Sequence, residues 1–250
     1  MAIRAVVYLL ILSVAWTSAE AQQSDLPNGT SLSASEYDAL LGLLVNDTTE
    51  LISLYRTSVH GTEYGNLLDR VGNALPLVLV IKKDEYVFGY YIGGGLLQPD
   101  DHTRKFTDVN KTGTLNYMCD VWRFSLAGHF PTPTKMDLDS NETFVTVAVR
   151  GADVCCENVN IGAALHLGWG GSGGSHQPAA DIRSCYHEAI VSDDLPEGYI
   201  GERDEDGDAL FGGSLEFMGD EIEVLRASAS RTQIAIAVLV GLTAVVFAAF

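Results

Sequence analysis

Leu77-Val-Leu-Val-Ile81-Lys-Lys-Asp84-Glu-Tyr86-Val-Phe-Gly-Tyr-Tyr-Ile92 is the stretch on which the fold turns. Two runs of β-branched and aromatic residues flank a polar break at Lys83-Asp84-Glu85, which is the composition of a β-hairpin. Neither run alternates strictly between apolar and polar residues, so much of both faces has to be buried. Upstream the period changes. Ser33 and Glu36 have capping-box spacing, and Tyr37, Leu40, Leu41, Leu44 and Val45 then repeat as one apolar helical face. A second box, Asp47 to Glu50, predicts a short helix carrying Leu51, Leu54 and Tyr55, and a third helical set follows at Tyr64, Leu67, Leu68 and Val71. Three short helices are therefore expected before any sheet. Further strands are expected at Val121 to Leu126, Phe144 to Val149, Ala163 to Leu167 and Glu221 to Leu225. The connection from Gly93 to Met118 is long for a plain loop and is a candidate contact surface.

The order and wording of these segments resemble the TLDc domain family. Leu54-Tyr55-Arg56, His60-Gly61, Leu67-Leu68, Pro76 to Lys82 and Tyr86-Val-Phe-Gly-Tyr90 are similar to its opening turn, helix and hairpin. Phe124-Ser-Leu126, Asp181-Ile182, Phe217 and Glu221-Ile-Glu-Val224 resemble its later segments. Tyr90 departs from the family pattern by standing at a usual glycine, and the 168–174 region is richer in glycine than the family. The resemblance implies an α+β fold, a two-sheet antiparallel β-sandwich flanked by helices. It also implies a non-catalytic role, in oxidative-stress resistance or in binding the proton-pumping V-type ATPase.

The ends bear on compartment. Arg4, the apolar run Ala5 to Trp16 and Ala19-Glu-Ala21 read as a secretory signal peptide. Residues 234–250 carry no charge and read as membrane-embedded, either as a glycolipid-anchor signal preceded by Ala227-Ser-Ala-Ser230 or as a single-pass helix. The expected division is a leader over 1–21, a linker over 22–32, a folded domain over 33–226, a polar linker over 227–233 and the tail. Sequons at Asn28, Asn46, Asn110 and Asn141 accord with a lumenal or extracellular domain. Cys119, Cys155, Cys156 and Cys185 allow three pairings in an oxidising compartment, with the neighbours Cys155 and Cys156 expected to pair outwards. A V-type ATPase partner on the cytosolic side conflicts with a cleaved leader, and remains the alternative if the leader is instead an anchor.

Charge narrows the partners. With 33 acidic against 15 basic residues the net charge is −18, and no basic stripe is present to hold nucleic acid. An acidic surface favours solubility or basic partners, and the expected partners are a membrane, through the tail, and a protein. Asp204, Asp206 and Asp208 suggest calcium, yet a loop starting at Glu202 puts Gly207 sixth and Gly213, not glutamate, twelfth. Gly168-Trp-Gly-Gly-Ser-Gly-Gly174 lacks the lysine of a phosphate loop. His166, His176, His187 and Cys185 lack zinc-ligand spacing, and Ser172 has no identifiable base. No cofactor or catalytic residue is assigned; an unrecognised lumenal hydrolase is the remaining alternative.

Overall fold

The computed structural model describes residues 26–44, 49–99, 113–173 and 176–229. Helix α1 (Ala34–Leu43) is followed by strand β1 (Thr49–Arg56), a single helical turn α2 (Thr57–His60) and helix α3 (Tyr64–Val71). Then come the hairpin β2 (Leu77–Lys83) and β3 (Tyr86–Ile92), β4 (Thr114–Met118), β5 (Val121–Ala127) and β6 (Thr134–Asp137). The chain continues through β7 (Phe144–Ala148), β8 (Val159–Ile161), β9 (Leu165–Leu167), β10 (Ser184–His187), a 3-10 turn (Ser192–Asp194), β11 (Glu216–Met218) and β12 (Glu221–Ala229).

The strands form two antiparallel six-stranded sheets, ordered β1-β12-β2-β3-β5-β6 and β11-β10-β9-β8-β7-β4. This is the expected α+β sandwich. Leu77, Leu79, Ile81, Phe88 and Val224 of the first sheet pack in one core with Val145, Val147, Val159, Leu165 and Leu167 of the second. On the outer face of the first sheet, Val78, Val80, Val87, Trp122, Phe124 and Leu225 pack against Tyr37, Leu40 and Leu41 of α1. That second cluster is why the hairpin reads as continuously apolar: the first sheet is covered on both faces. The capping box on α1 is formed, with the Ser33 side chain accepting from Glu36 N and the Glu36 side chain from Ser33 N. Gly89 is required inside β3, because a Cβ there would collide with the Leu79 carbonyl.

Three expectations are corrected. The segment after Asp47 is strand β1 rather than a helix. A register shift between Ser53 and Tyr55 changes the phase of alternation, so Leu51 joins the outer cluster and Tyr55 the inner one. The spacing 51, 54, 55 thus imitates a helical face while belonging to a bulged strand. Secondly, the Gly93 to Met118 connection contains β4, an edge strand with only Leu115 buried, too polar to read as a strand. Thirdly, the domain is wider than 33–226. Leu32 is buried in the outer cluster, and β12 runs on to Ala229, pairing Ala227 with Leu51 and Ala229 with Thr49.

The wider boundary has a polar cause. β12 places Glu221 and Glu223 on the outer face, and Glu223 is fully buried. Its carboxylate accepts hydrogen bonds from Thr30 Oγ1, Ser31 N (2.8 Å), Ser31 Oγ and Ser53 Oγ (2.7 Å). Glu221 accepts from Thr57 Oγ1 (2.6 Å), Ser58 N (3.0 Å), Ser58 Oγ and Arg56 Nη2 (3.0 Å). Lys82, opposite Glu221 on β2, donates to Ser31 O (2.7 Å) and pairs with Glu36 (2.9 Å). Glu223→Ala would leave four donors without their acceptor and is expected to cost about 3 kcal/mol in urea denaturation. Ser228→Ala, at an exposed hydroxyl on the same strand, is expected to change stability by less than about 0.5 kcal/mol.

Candidate functional site

The sequence-selected candidates do not converge. Asn28 and Asn141 are exposed on turns, while Asn46 and Asn110 lie outside the described residues, as do the leader and the tail. Asp204 uses its Oδ1 to accept from the backbone N–H groups of Asp206 (3.0 Å) and Asp208 (2.9 Å), which closes its own turn. No group of three metal-ligating side chains occurs among the described residues. His166 sits beside Asn160 (3.1 Å) between Trp169 and Tyr186, His176 against the Gly170 carbonyl (3.2 Å). The glycine segment links β9 to β10, and Gly170 N donates to Cys156 O (2.7 Å), where a Cβ would strike the Gln177 carbonyl.

The cysteines correct an expectation. Cys155 and Cys156 are bonded to one another rather than outwards, and Cys119 and Cys185 are free thiols. Sheet order explains the free pair. Cys119 follows β4, whereas Cys185 lies in β10, four strand spacings away, roughly 19 Å at about 4.8 Å each. A disulfide needs Cα atoms about 6 Å apart.

What the fold does gather is a polar group that sequence reading missed. Inside the sandwich, His187 and His129 pack around Phe211 at ring distances of 5.4 and 4.3 Å, with Tyr86 stacked on His129 at 4.5 Å. His187 Nδ1 donates to the Glu188 carbonyl (2.7 Å), so its Nε2 accepts from the Tyr90 hydroxyl (2.9 Å). The Arg123 guanidinium stands close enough to the Tyr90 hydroxyl to act on it electrostatically. His129 Nε2 donates to the Phe211 carbonyl (2.9 Å), leaving Nδ1 to accept from Ser125 Oγ (2.9 Å). Ser125 and His129 make a serine–histidine contact, but both are buried and the second imidazole nitrogen is occupied by a carbonyl.

Arg123 leads outward from this interior to a cavity of about 430 Å³. The cavity lies between the β5–β6 edge of the first sheet and the β8–β9 turn and 188–194 segment of the second. Its wall carries Asp137, Asp139, Glu142, Glu188 and Asp194, with Arg123 as the one basic residue. Asp137 is paired with Lys135 at 2.8 Å. The Asp204–Asp208 turn docks against the same wall through the Ile190–Ala209 bridge, and Ser192 Oγ donates to Gly207 O (2.8 Å).

Residues 30–115 match the family model of the TLDc domain. The match covers less than half of the 250 residues, and no curated protein matches the chain. It begins at Thr30, the first residue held by Glu223, and takes in α1, the bulged strand, α3 and the hairpin. The later segments that resemble TLDc domains, including Glu221 to Val224, lie beyond it. Tyr90, the departure from the TLDc hairpin pattern, fills the core and supplies the hydroxyl that bonds to His187.

Burial lowers the pKa of His129 from 6.5 to about 4 and that of His187 to about 3. Both imidazoles are therefore neutral in the fold, whereas the unfolded chain takes up their protons near pH 6.5. Their contribution to stability is complete above about pH 6.5 and is lost as pH falls through about 4 and 3. His60 shifts the same way, for burial first and then the nearby Arg70. In urea titrations the unfolding free energy is expected to fall between pH 6.5 and 4.5 by up to about 1.4 kcal/mol per pH unit for each buried histidine. His129→Asn, itself less stable, is expected to show a shallower slope.

Cys185 is 1% exposed and burial raises its thiol pKa further. A maleimide is expected to leave Cys185 unmodified in the native protein and to label it fully in 6 M guanidinium, read by peptide mass.

Proposed function

We propose that the chain is a non-catalytic TLDc-type binding module, delivered to the secretory pathway and held at a membrane by its apolar tail. The observation that carries the binding reading is the engagement of the buried histidines. Each gives one nitrogen to a backbone carbonyl and the other to a hydroxyl, so neither is presented to a substrate as a general base. The cavity is lined instead by carboxylates at its rim, a surface suited to recognition by charge.

The compartment reading is supported by the leader and tail sequences and by the exposure of the Asn28 and Asn141 sequons. β12 ends at Ala229, directly before the stretch leading to the tail. No helix among the described residues is long and apolar enough to cross a membrane, so the tethering rests on residues 234–250. A cytosol-facing regulator of the V-type ATPase is the second reading. One observation favours it: Cys119 and Cys185 are free thiols, as a reducing compartment would keep them.

Intact-mass analysis of the protein from its own cells, before and after glycosidase and glycolipid-specific phospholipase, separates the two. The proposal expects an N-terminus near Gln22, glycan on Asn28 or Asn141, and membrane attachment through the tail or a glycolipid replacing it. A retained Met1 with bare sequons would overturn the secretory reading and favour the cytosolic one.

A further inference from the structure

The acidic cavity combines two features that a single small ligand does not satisfy. Its five carboxylates are spread around about 430 Å³, and no three metal-ligating groups among the described residues stand close enough to hold a metal ion. Dispersed carboxylates match several positive charges carried on one extended molecule better than one compact cation. Asp139, Glu188 and Asp194 are exposed at the rim, where they can meet flexible basic side chains without a large desolvation cost. The adjoining Asp204–Asp208 turn, held by Arg203 Nη1 to Gly207 O (2.6 Å), extends the same sign of charge along the wall.

Arg123 points to the second feature. It is 7% exposed, lines the cavity, and its Nε has no hydrogen-bond partner. A buried N–H without an acceptor is costly, and such groups in native proteins usually have a partner. Packing beside Tyr90, whose hydroxyl is bonded to His187, keeps the guanidinium at the cavity, beneath an acidic rim. A ligand that serves both features needs cationic side chains for the rim and a hydrogen-bond acceptor for Arg123. A polyamine has the first without the second; a peptide has both, in its lysine or arginine side chains and its backbone carbonyls.

We propose that this cavity binds a basic peptide segment of a partner protein, the lysine or arginine side chains facing Asp139, Glu142, Glu188 and Asp194 and a backbone carbonyl accepting from Arg123. The site rests on the binding-module reading and names the chemistry of the partner. Asn141 lies on the same turn as Asp139 and Glu142, so a glycan there would border the site without occupying the cavity wall.

The test is calorimetric titration of the purified protein, with and without glycosidase treatment, using acetylated and amidated tetralysine, spermine and calcium chloride at 50 and 200 mM salt. The peptide is expected to bind at least about tenfold more tightly than spermine or calcium, and to weaken several-fold at the higher salt. The exposed-rim variant Asp139→Asn/Glu188→Gln is expected to lose about tenfold in peptide affinity while its thermal midpoint stays close to that of the parent. Arg123→Met, which removes the donor at the cavity, is expected to narrow the preference for peptide over spermine, compared at a temperature where both proteins are folded. No peptide binding, equal or tighter binding of spermine or calcium, or an affinity indifferent to the rim variant would overturn the proposal. Peptide mass after incubation separates this from the broader reading. An intact, unbound peptide sinks the basic-peptide site alone, whereas a cleaved one sinks the non-catalytic reading and the site with it.

Discussion

Strand β12 lies between β1 and β2, so the first sheet closes only when the last described strand of the domain is inserted between two strands from its first third. The insertion carries Glu221 and Glu223 into positions where water is largely excluded, and a buried carboxylate is tolerated only when hydrogen-bonded. Thr30, Ser31 and Ser53 supply the donors for one; Arg56, Thr57 and Ser58 supply them for the other. Those donors come from three separate pieces of chain, so the two carboxylates gather the entry to α1, the bulge of β1 and the turn after it. Hydrophobic burial supplies the larger energy, but it is indifferent to which strand fills the gap. The carboxylates are not, because another partner would leave donors and acceptors unmet.

A similar logic separates the interior from the cavity. Between the sheets, two histidines are tolerated because they are neutral and each nitrogen is satisfied. Towards the β5–β6 edge the ionised groups stand at the rim, where water and counterions reduce their mutual repulsion. Arg123 spans the two regimes, buried beside the neutral Tyr90–His187 pair on one side and lining the acidic wall on the other. A site built this way recognises by charge and hydrogen bonding.

The hairpin, α1 and α3 were legible because their apolar runs are long and their caps and breaks are local signals. The resemblance to TLDc domains rests on those same segments, and the family match falls over them. Strand β1 was misread because its bulge shifts the alternation and leaves Leu51, Leu54 and Tyr55 at helical spacing. β8 and β11 have three residues each and offer little pattern to read, while the equally short β9 was legible only because Ala163 and Ala164 lengthen its apolar run. The cavity was illegible for a different reason. Arg123 and Asp139 lie about fifty residues or more before Glu188 and Asp194, and the two pairs meet only through the packing of two sheets. Single acidic residues in loops carry no signal of what they will face. The calcium candidates stood out because they are adjacent in sequence, yet Asp204 spends its oxygen on its own turn.

Hydrogen exchange with site resolution tests the central place of β12 most directly. If β12 and its buried carboxylates close the domain, the amides of Ile222 to Leu225 will be among the slowest to exchange, and Ser31 N, bonded to Glu223, will be protected well above a free linker. Exchange of Ser31 at the rate of an unstructured chain, with β12 opening before β2 and β3, would contradict the account.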